Sequence, residues 1–143
     1  MYLLDTNVIS ELRRPRPSRA VVGWVGEQAA DRLFLSAVTI GEIQAGIEIT
    51  REQDGSKADE IEAWLDDVLA SRNVLPVDSA EFRAWARLKH RQSNTLLEDA
   101  MIAATAVVHG LTVVTRNVRD FRQLGVPVLD PFDPVSGNGT PTA

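Results

Sequence analysis

The chain has 143 residues, of which 44% are hydrophobic and 24% charged, as is typical of one globular domain. It has no cysteine, which excludes disulfides, thiolate catalysis, zinc–thiolate sites and iron–sulfur clusters. The formal net charge of −5 argues against a broad basic face that binds nucleic acid. Neither a signal peptide nor an apolar stretch long enough to span a bilayer is present, so we predict a cytoplasmic protein.

The first half of the chain alternates short apolar runs with amphipathic stretches. The pattern predicts a strand over 1–4, a helix over about 6–12, an amphipathic stretch over about 21–30, a strand over 33–36, and helices over about 38–50 and 61–69. Pro15 and Pro17 forbid continuation of the first helix. Gly41 and Gly46 weaken the helix over 38–50, and we expect them to allow close packing of its backbone.

The second half continues the same alternation. Its predicted elements are a strand over 74–77, a helix opened by a capping box of Asp78 and Glu81, a helix over about 97–109, a strand over 111–115, a short helix over about 120–124 and a strand over 126–129. Pro76 lacks a backbone donor, which favours an edge position for the third strand. Gly110 and Gly125 are expected to end the helices before them. Three apolar side chains of the helix after the capping box are expected to point inward: Phe82, Trp85 and Leu88.

Strands that alternate with helices predict an α/β fold with a short, mainly parallel sheet flanked by helices. The sequence shows no internal repeat, and we expect one domain over residues 1–134. The tail over 135–143 has too little apolar content to pack and is expected to be disordered.

Four acidic residues lie at strand exits or helix starts of this predicted fold: Asp5, Glu42, Asp99 and Asp120. Each one alone is also explained as a helix cap or as a favourable charge in a first helical turn. In a parallel sheet, however, strand exits and helix starts share one edge, so the four carboxylates are expected to converge there. Such a cluster is unfavourable without a cation, and oxygen ligands suit Mg²⁺ or Mn²⁺. A site of this kind can hydrolyse phosphodiesters without a serine, cysteine or histidine nucleophile.

Four segments that contain these acids resemble the motifs of PIN-domain ribonucleases, in the family's order. They are MYLLDTNVISEL (1–12), LSAVTIGEI (35–43), DAMIAATA (99–106) and VTRNVRDF (114–121). The chain looks most like the VapC toxins of prokaryotic toxin–antitoxin pairs, in the branch that includes the FitB proteins. The resemblance implies a three-layer PIN fold and a homodimeric, Mg²⁺- or Mn²⁺-dependent endoribonuclease that cleaves RNA. It also implies inhibition by a VapB-type antitoxin, which supplies the binding to operator DNA.

The resemblance assigns the metal site to the same four acids. Asp5 and Asp99 are expected to be the principal ligands, directly or through water. Glu42 is expected either to complete the first metal site or to orient the attacking water, and Asp120 either to hold a second metal or to act through water. Supporting hydrogen bonds are expected from three residues, the first of which has helix capping as an equal alternative: Thr6, Thr115 and Asn117.

Other charged residues have simpler explanations. Glu98 adjoins Asp99, but a helix turns about 100° per residue, so we expect Glu98 to be solvated or to cap the helix. His90 and His109 lie near helix C-termini, where a cation is favourable, and are interpreted as structural. Four basic residues within seven positions have three open interpretations, namely RNA phosphate binding, antitoxin docking and plain solvation: Arg13, Arg14, Arg16 and Arg19.

The alternative to a nuclease is a regulatory module that acts with its antitoxin at DNA and has weak or no nuclease activity. The intact acids argue against a decayed site but do not prove turnover. A phosphotransferase with Asp5 as nucleophile is disfavoured, because Asn7 stands where that chemistry needs a second aspartate. A receiver domain would need a lysine that residues 115–117 do not supply.

Overall fold

The computed structural model describes residues 1–90, 92 and 97–133. Its strands are β1 (Tyr2–Leu4), β2 (Leu33–Ser36), β3 (Asn73–Leu75), β4 (Thr112–Val114) and β5 (Val128–Leu129). Its helices are α1 (Thr6–Glu11), α2 (Arg19–Glu27), α3 (Ala37–Gln53), α4 (Gly55–Ser71), α5 (Ser79–Lys89), α6 (Leu97–His109) and α7 (Val118–Gln123). A 3₁₀ turn, Ala30–Arg32, leads into β2. The predicted disorder of the tail over 135–143 lies outside the described residues.

The described strands form one sheet in the order β3-β2-β1-β4-β5, and every neighbouring pair in it is parallel. The prediction of a mainly parallel sheet is confirmed, and β3 lies at an edge, as Pro76 indicated. β1 lies at the centre, where Tyr2 pairs with Leu33 of β2 and with Thr112 of β4. Because all strands run the same way, the chain leaves β1, β2 and β4 at one edge, which we call the carboxyl edge.

Helices cover both faces of the sheet. Successive residues of a strand point to opposite faces, so neighbouring residues of one strand belong to different cores. Leu3 and Val113 belong to the core that packs against α6 and α7. Leu4 and Val114 belong to the other core, which packs against α1, α2, α3 and α4. Strands that are apolar on both faces are typical of a parallel sheet between two helical layers. The predicted three-layer α/β arrangement is therefore confirmed.

Helix ends follow local sequence signals in the second half of the chain. The capping box forms as predicted, because the Asp78 side chain accepts from the Glu81 backbone N–H and the Glu81 side chain accepts from the Asp78 N–H at 2.8 Å. Gly110 and Gly125 follow α6 and α7 with φ angles of 66° and 75°. These angles lie in the left-handed region that glycine adopts without a steric penalty, which explains why both helices end there.

The inward orientation predicted for Phe82 is wrong. Its side chain is 52% exposed, and its ring meets the ring of Trp85 edge-on at a centroid distance of 6.3 Å. The capping box turns Glu81 inward, and Glu81 and Ala84 are the buried positions of α5. Around the helix axis, Phe82 therefore lies about 100° from Glu81 and about 160° from Ala84, away from the buried face. Trp85 and Leu88 pack against the core as predicted.

The long helices α3 and α4 extend beyond their predicted bounds and are separated only by Asp54. Asp54 ends α3 and caps α4 by accepting from the Lys57 N–H at 3.0 Å. The close packing expected at Gly41 and Gly46 is not found, because an added Cβ at either position would meet no atom within 4 Å. Among the described residues, no helix is both long and apolar enough to cross a bilayer.

Candidate functional site

Asp5 lies at the carboxyl edge, between the end of β1 and the start of α1. Its extended backbone makes it the N-cap of α1, and its Oδ1 accepts from the Thr6 N–H at 2.8 Å. Its Oδ2 accepts from the Thr115 hydroxyl at 2.8 Å. Burial raises the pKa of the Asp5 carboxyl, and these two hydrogen bonds partly offset that rise. Both oxygens are fixed in direction, and each retains a lone pair for a further ligand.

Glu42 projects from α3 towards the same edge. Its Oε1 accepts from the Thr6 hydroxyl at 2.8 Å, and the Thr6 hydroxyl lies 3.0 Å from that of Thr39. Burial, followed by a hydrogen bond with Glu98 and by the charges of Glu98 and Asp5, raises the pKa of Glu42 to about 7. Thr6 therefore links the Asp5 cap to Glu42 through one backbone and one side-chain group.

Asp99 enters the site from the first turn of α6. Its carboxyl is half-buried, and burial is the main cause that raises its pKa to about 6. The charges of Asp5, Asp120 and Glu98 raise the pKa further, in that order. Repulsion of this kind acts over short distances in a protein. The four predicted acids are therefore brought together at the carboxyl edge, with Asp120 contributing from α7.

Glu98 is a member of this cluster that the sequence did not predict. The residue is exposed, as expected, but its carboxyl group also forms a hydrogen bond with Glu42 and repels Asp99. The expectation that only one of two adjacent residues reaches the site was too strict. Both lie in the first turn of α6, and that end of the helix faces the site. The sequence signal for Glu98 is its position directly before Asp99 in the first turn of a helix that starts at the carboxyl edge.

Two of the predicted supporting residues, Thr115 and Asn117, form hydrogen bonds near Asp5, and Asn117 does so through its backbone rather than its side chain. Thr115 donates to Asp5, and its oxygen accepts from the Asn117 backbone N–H at 2.9 Å. Asn117 therefore supports Thr115 through its backbone N–H, and its side chain forms no capping hydrogen bond to α7. Asn7, which the sequence did not single out for support, accepts from the Arg116 N–H at 3.2 Å and ties α1 to the loop after β4.

The donor set fits a hard cation that keeps part of its water shell. The groups that meet at the cluster are carboxylate and hydroxyl oxygens, which Mg²⁺ and Mn²⁺ prefer. Within residues 1–90, 92 and 97–133, no three acidic or imidazole side chains are arranged to hold one ion directly. Mg²⁺ commonly binds one or two carboxylates and fills its other positions with water, so this spacing suits ligation that is partly through water. A cation would also relieve the repulsion that raises the pKa values of Glu42 and Asp99.

The sequence model of the PIN domain matches residues 2–127, which is nearly the whole chain. The chain belongs to the PIN-domain family. The predicted resemblance is confirmed, and the acids at the carboxyl edge all lie within the matched part of this PIN domain.

Two relatives and one solved structure resemble this PIN domain over most of their length. The VapC ribonuclease Y4jK of Sinorhizobium fredii is 36% identical over 140 residues, which cover 94% of this chain and 99% of that protein. The toxin FitB of Neisseria gonorrhoeae is 34% identical over 141 residues, which cover 92% of this chain and 99% of that protein. A chain in the structure of FitAB bound to an IR36 DNA fragment has a TM-score of 0.82 and 32% identity, with 93% of this chain and 96% of that chain covered.

Proposed function

We propose that this PIN-domain protein is the toxin of a type II toxin–antitoxin pair and hydrolyses RNA phosphodiester bonds with Mg²⁺ or Mn²⁺. The observation that carries the proposal is the convergence of acidic side chains at the carboxyl edge, with the pKa of Glu42 raised to about 7 and that of Asp99 to about 6. The similarity to a VapC ribonuclease and to the toxin FitB supports the reaction and the biological role.

The roles proposed for the acids rest on the resemblance to PIN-domain ribonucleases and on the hydrogen bonds around Asp5 and Glu42. A bound divalent ion would stabilise charge on the phosphoryl oxygens and lower the pKa of a coordinated water. Asp5 and Asp99 would hold it, with Asp120 either holding a second ion or acting through water, and Thr6 and Thr115 keep the Asp5 carboxylate in one orientation. Glu42, whose Oε1 accepts from Thr6 and whose pKa is raised to about 7, would accept a proton from the attacking water.

The proposed partners are a VapB-type antitoxin, a second copy of this chain and, through the antitoxin, operator DNA. The FitAB complex with DNA supports this assembly, because its chain covers 93% of the present one at 32% identity. The net charge of −5 also favours an antitoxin as the DNA-binding component. The domain over residues 1–134, the disordered tail and the cytoplasmic location stay predictions.

The same DNA complex keeps a regulatory module with weak or no nuclease activity as the second candidate. Purified protein should be incubated with RNA in EDTA, Mg²⁺ or Mn²⁺. Asp5→Asn and Asp99→Asn are each expected to lower the cleavage rate by at least about 100-fold, or ~2.7 kcal/mol. Asp66→Asn changes an exposed acid of α4 and serves as the matched control.

The outcomes separate the two candidates. Cleavage that needs the ion and disappears in the Asp5 and Asp99 variants supports the nuclease. Undiminished cleavage by the double variant Asp5→Asn/Asp99→Asn would refute the assigned site. An intact wild-type protein that binds operator DNA with its antitoxin but cleaves no RNA would leave the regulatory module as the function.

A further inference from the structure

A cavity of about 240 Å³ opens directly beside the acidic site, between α1, α3 and α4. We call it the side cavity. Glu42 and Thr6 stand at its junction with the acidic site, and Ile47 and Trp64 contribute apolar wall. Glu42 therefore borders both spaces, so a polymer whose scissile bond lies at the acids can place a neighbouring unit in the side cavity.

The lining of the side cavity includes a cation over an aromatic ring. The Arg13 guanidinium carbon lies 5.9 Å from the centre of the Trp64 ring. Arg13 makes no ion pair with another described residue, whereas the neighbouring Arg14 pairs with Glu11 at 3.3 Å. Its charge is thus available to a ligand, although the chain as a whole is acidic.

The turn that carries these arginines is held in place by a buried acid. Glu11 is only 7% exposed, and it accepts from the Ser18 N–H at 2.9 Å as well as from Arg14. These bonds connect the end of α1 to the start of α2 across the two prolines. Arg13 is therefore presented to the side cavity from an ordered turn.

We propose that the side cavity binds one nucleoside of single-stranded RNA next to the scissile phosphodiester, with its base between Trp64 and Arg13. The proposal rests on the proposed function. A base between two planar groups needs two contacts of roughly 3.5 Å each, about 7 Å in all. The guanidinium would have to withdraw by only about 1 Å, which its long and partly exposed side chain allows.

Charge and surface favour a nucleotide over a peptide segment of the antitoxin as the occupant. Stacking on an aromatic ring accepts any base face, and an arginine adds to it while neutralising a phosphate. Ser10 and Thr50 also line the side cavity, and the Thr50 hydroxyl, which donates to the Gly46 carbonyl at 3.0 Å, keeps its lone pairs for the polar edge of a base. A purely apolar peptide side chain would use neither these hydroxyls nor the charge of Arg13.

Gly46 provides a way to fill the side cavity without disturbing the core. It lines the cavity, and an added Cβ there would meet no atom within 4 Å. Gly46→Leu is therefore expected to fold and to obstruct the site. Ala45→Leu places the same side chain on the same helix at an exposed position outside the cavity, and it serves as the control.

The test measures binding of a mixed-sequence oligoribonucleotide of roughly eight nucleotides by fluorescence anisotropy. All proteins carry Asp99→Asn, so that cleavage does not interfere. Gly46→Leu and Trp64→Leu are each expected to weaken binding by about 5- to 150-fold. Arg13→Ala is expected to weaken binding and to lower the slope of log K against log salt by about 0.7. Ala45→Leu should bind like its parent.

Several outcomes would overturn the proposal. Unchanged RNA binding in Gly46→Leu and Arg13→Ala refutes it, as does no binding by the parent protein. If Gly46→Leu binds RNA normally but loses affinity for the antitoxin, the side cavity is a peptide site instead. If one of these results is obtained and the wild-type protein still cleaves RNA in a metal-dependent way, the proposed function stands and only the cavity proposal fails. Conversely, if RNA binding depends on the side cavity but the wild-type protein never cleaves RNA, the cavity proposal stands and the proposed nuclease function fails.

Discussion

Asp99→Asn is expected to stabilise the metal-free protein at about pH 8, although it removes a residue of the proposed site. Burial and the charges of Asp5, Asp120 and Glu98 raise the pKa of Asp99 to about 6, from an ordinary value of 3.8. At ~1.36 kcal/mol per pKa unit, this difference corresponds to about 3 kcal/mol of destabilisation by the ionised group. Because the group is half-exposed, solvent screening reduces the expected gain to about 1–2 kcal/mol.

The pH dependence follows from the sign of the same shift. The folded state holds the Asp99 proton more tightly than the unfolded state, so wild type loses stability as the pH rises from about 4 to about 6. Asparagine carries no titrating proton and does not share this loss. The stability difference between the variant and wild type should therefore be small near pH 4 and reach its full size above about pH 6.

Thermal unfolding in EDTA measures this difference. For a chain of this size, the variant should melt about 3–8 °C above wild type at about pH 8. Excess Mg²⁺ should reverse the order, because it stabilises the state that binds it. Asp66→Asn, which changes an exposed acid of α4, should show neither effect. A variant that melts below wild type in EDTA at every pH would refute the claim that Asp99 is held under electrostatic strain.

Three further perturbations test other parts of the structure. Thr115→Val removes the hydroxyl that donates to Asp5, so it should cost roughly 1–3 kcal/mol in urea unfolding and raise the pKa of Asp5, moving the acid limb of the cleavage profile to higher pH. Thr115→Ser should restore both, and an unmoved acid limb would count against the assignment of Asp5. Glu11→Gln should cost about 1 kcal/mol at neutral pH, because hydrogen bonds from the Ser18 N–H and from Arg14 lower the pKa of Glu11. This cost should fade as the pH falls through that lowered pKa, and a cost that persists in acid would show that packing rather than charge is responsible. Finally, Gly110→Ala should lower the melting temperature by an amount equivalent to about 1 kcal/mol, since the φ of 66° disfavours a Cβ, and an unchanged melting temperature would contradict this.

Much of the framework was predictable because its signals are local. The apolar run before Asp5, the capping box of Asp78 and Glu81, and the left-handed glycine at Gly110 each depend on a few neighbouring residues. The convergence of the acids was also predictable, because parallel strands bring their exits to one edge.

Features that depend on tertiary orientation were not predictable in the same way. The hydrogen bond between Glu98 and Glu42 depends on how the first turn of α6 faces α3, and no sequence spacing sets that angle. The exposure of Phe82 depends on which face of α5 the buried Glu81 selects. The side cavity is bounded by α1, α3 and α4 together, so its volume could not be read from any one of them.

The hydrogen bond between Thr115 and Asp5 joins residues 110 positions apart in the chain. At a synthesis rate of about 5–20 residues per second, roughly 6–23 s separate the first residue from the arrival of Thr115. Until β4 docks beside β1, the nascent chain holds Asp5 by its cap to α1 alone and lacks Asp120, the acid of α7. A cell that translates this message is therefore exposed to an assembled site only after most of the chain has been made, and products that end before β4 should be harmless.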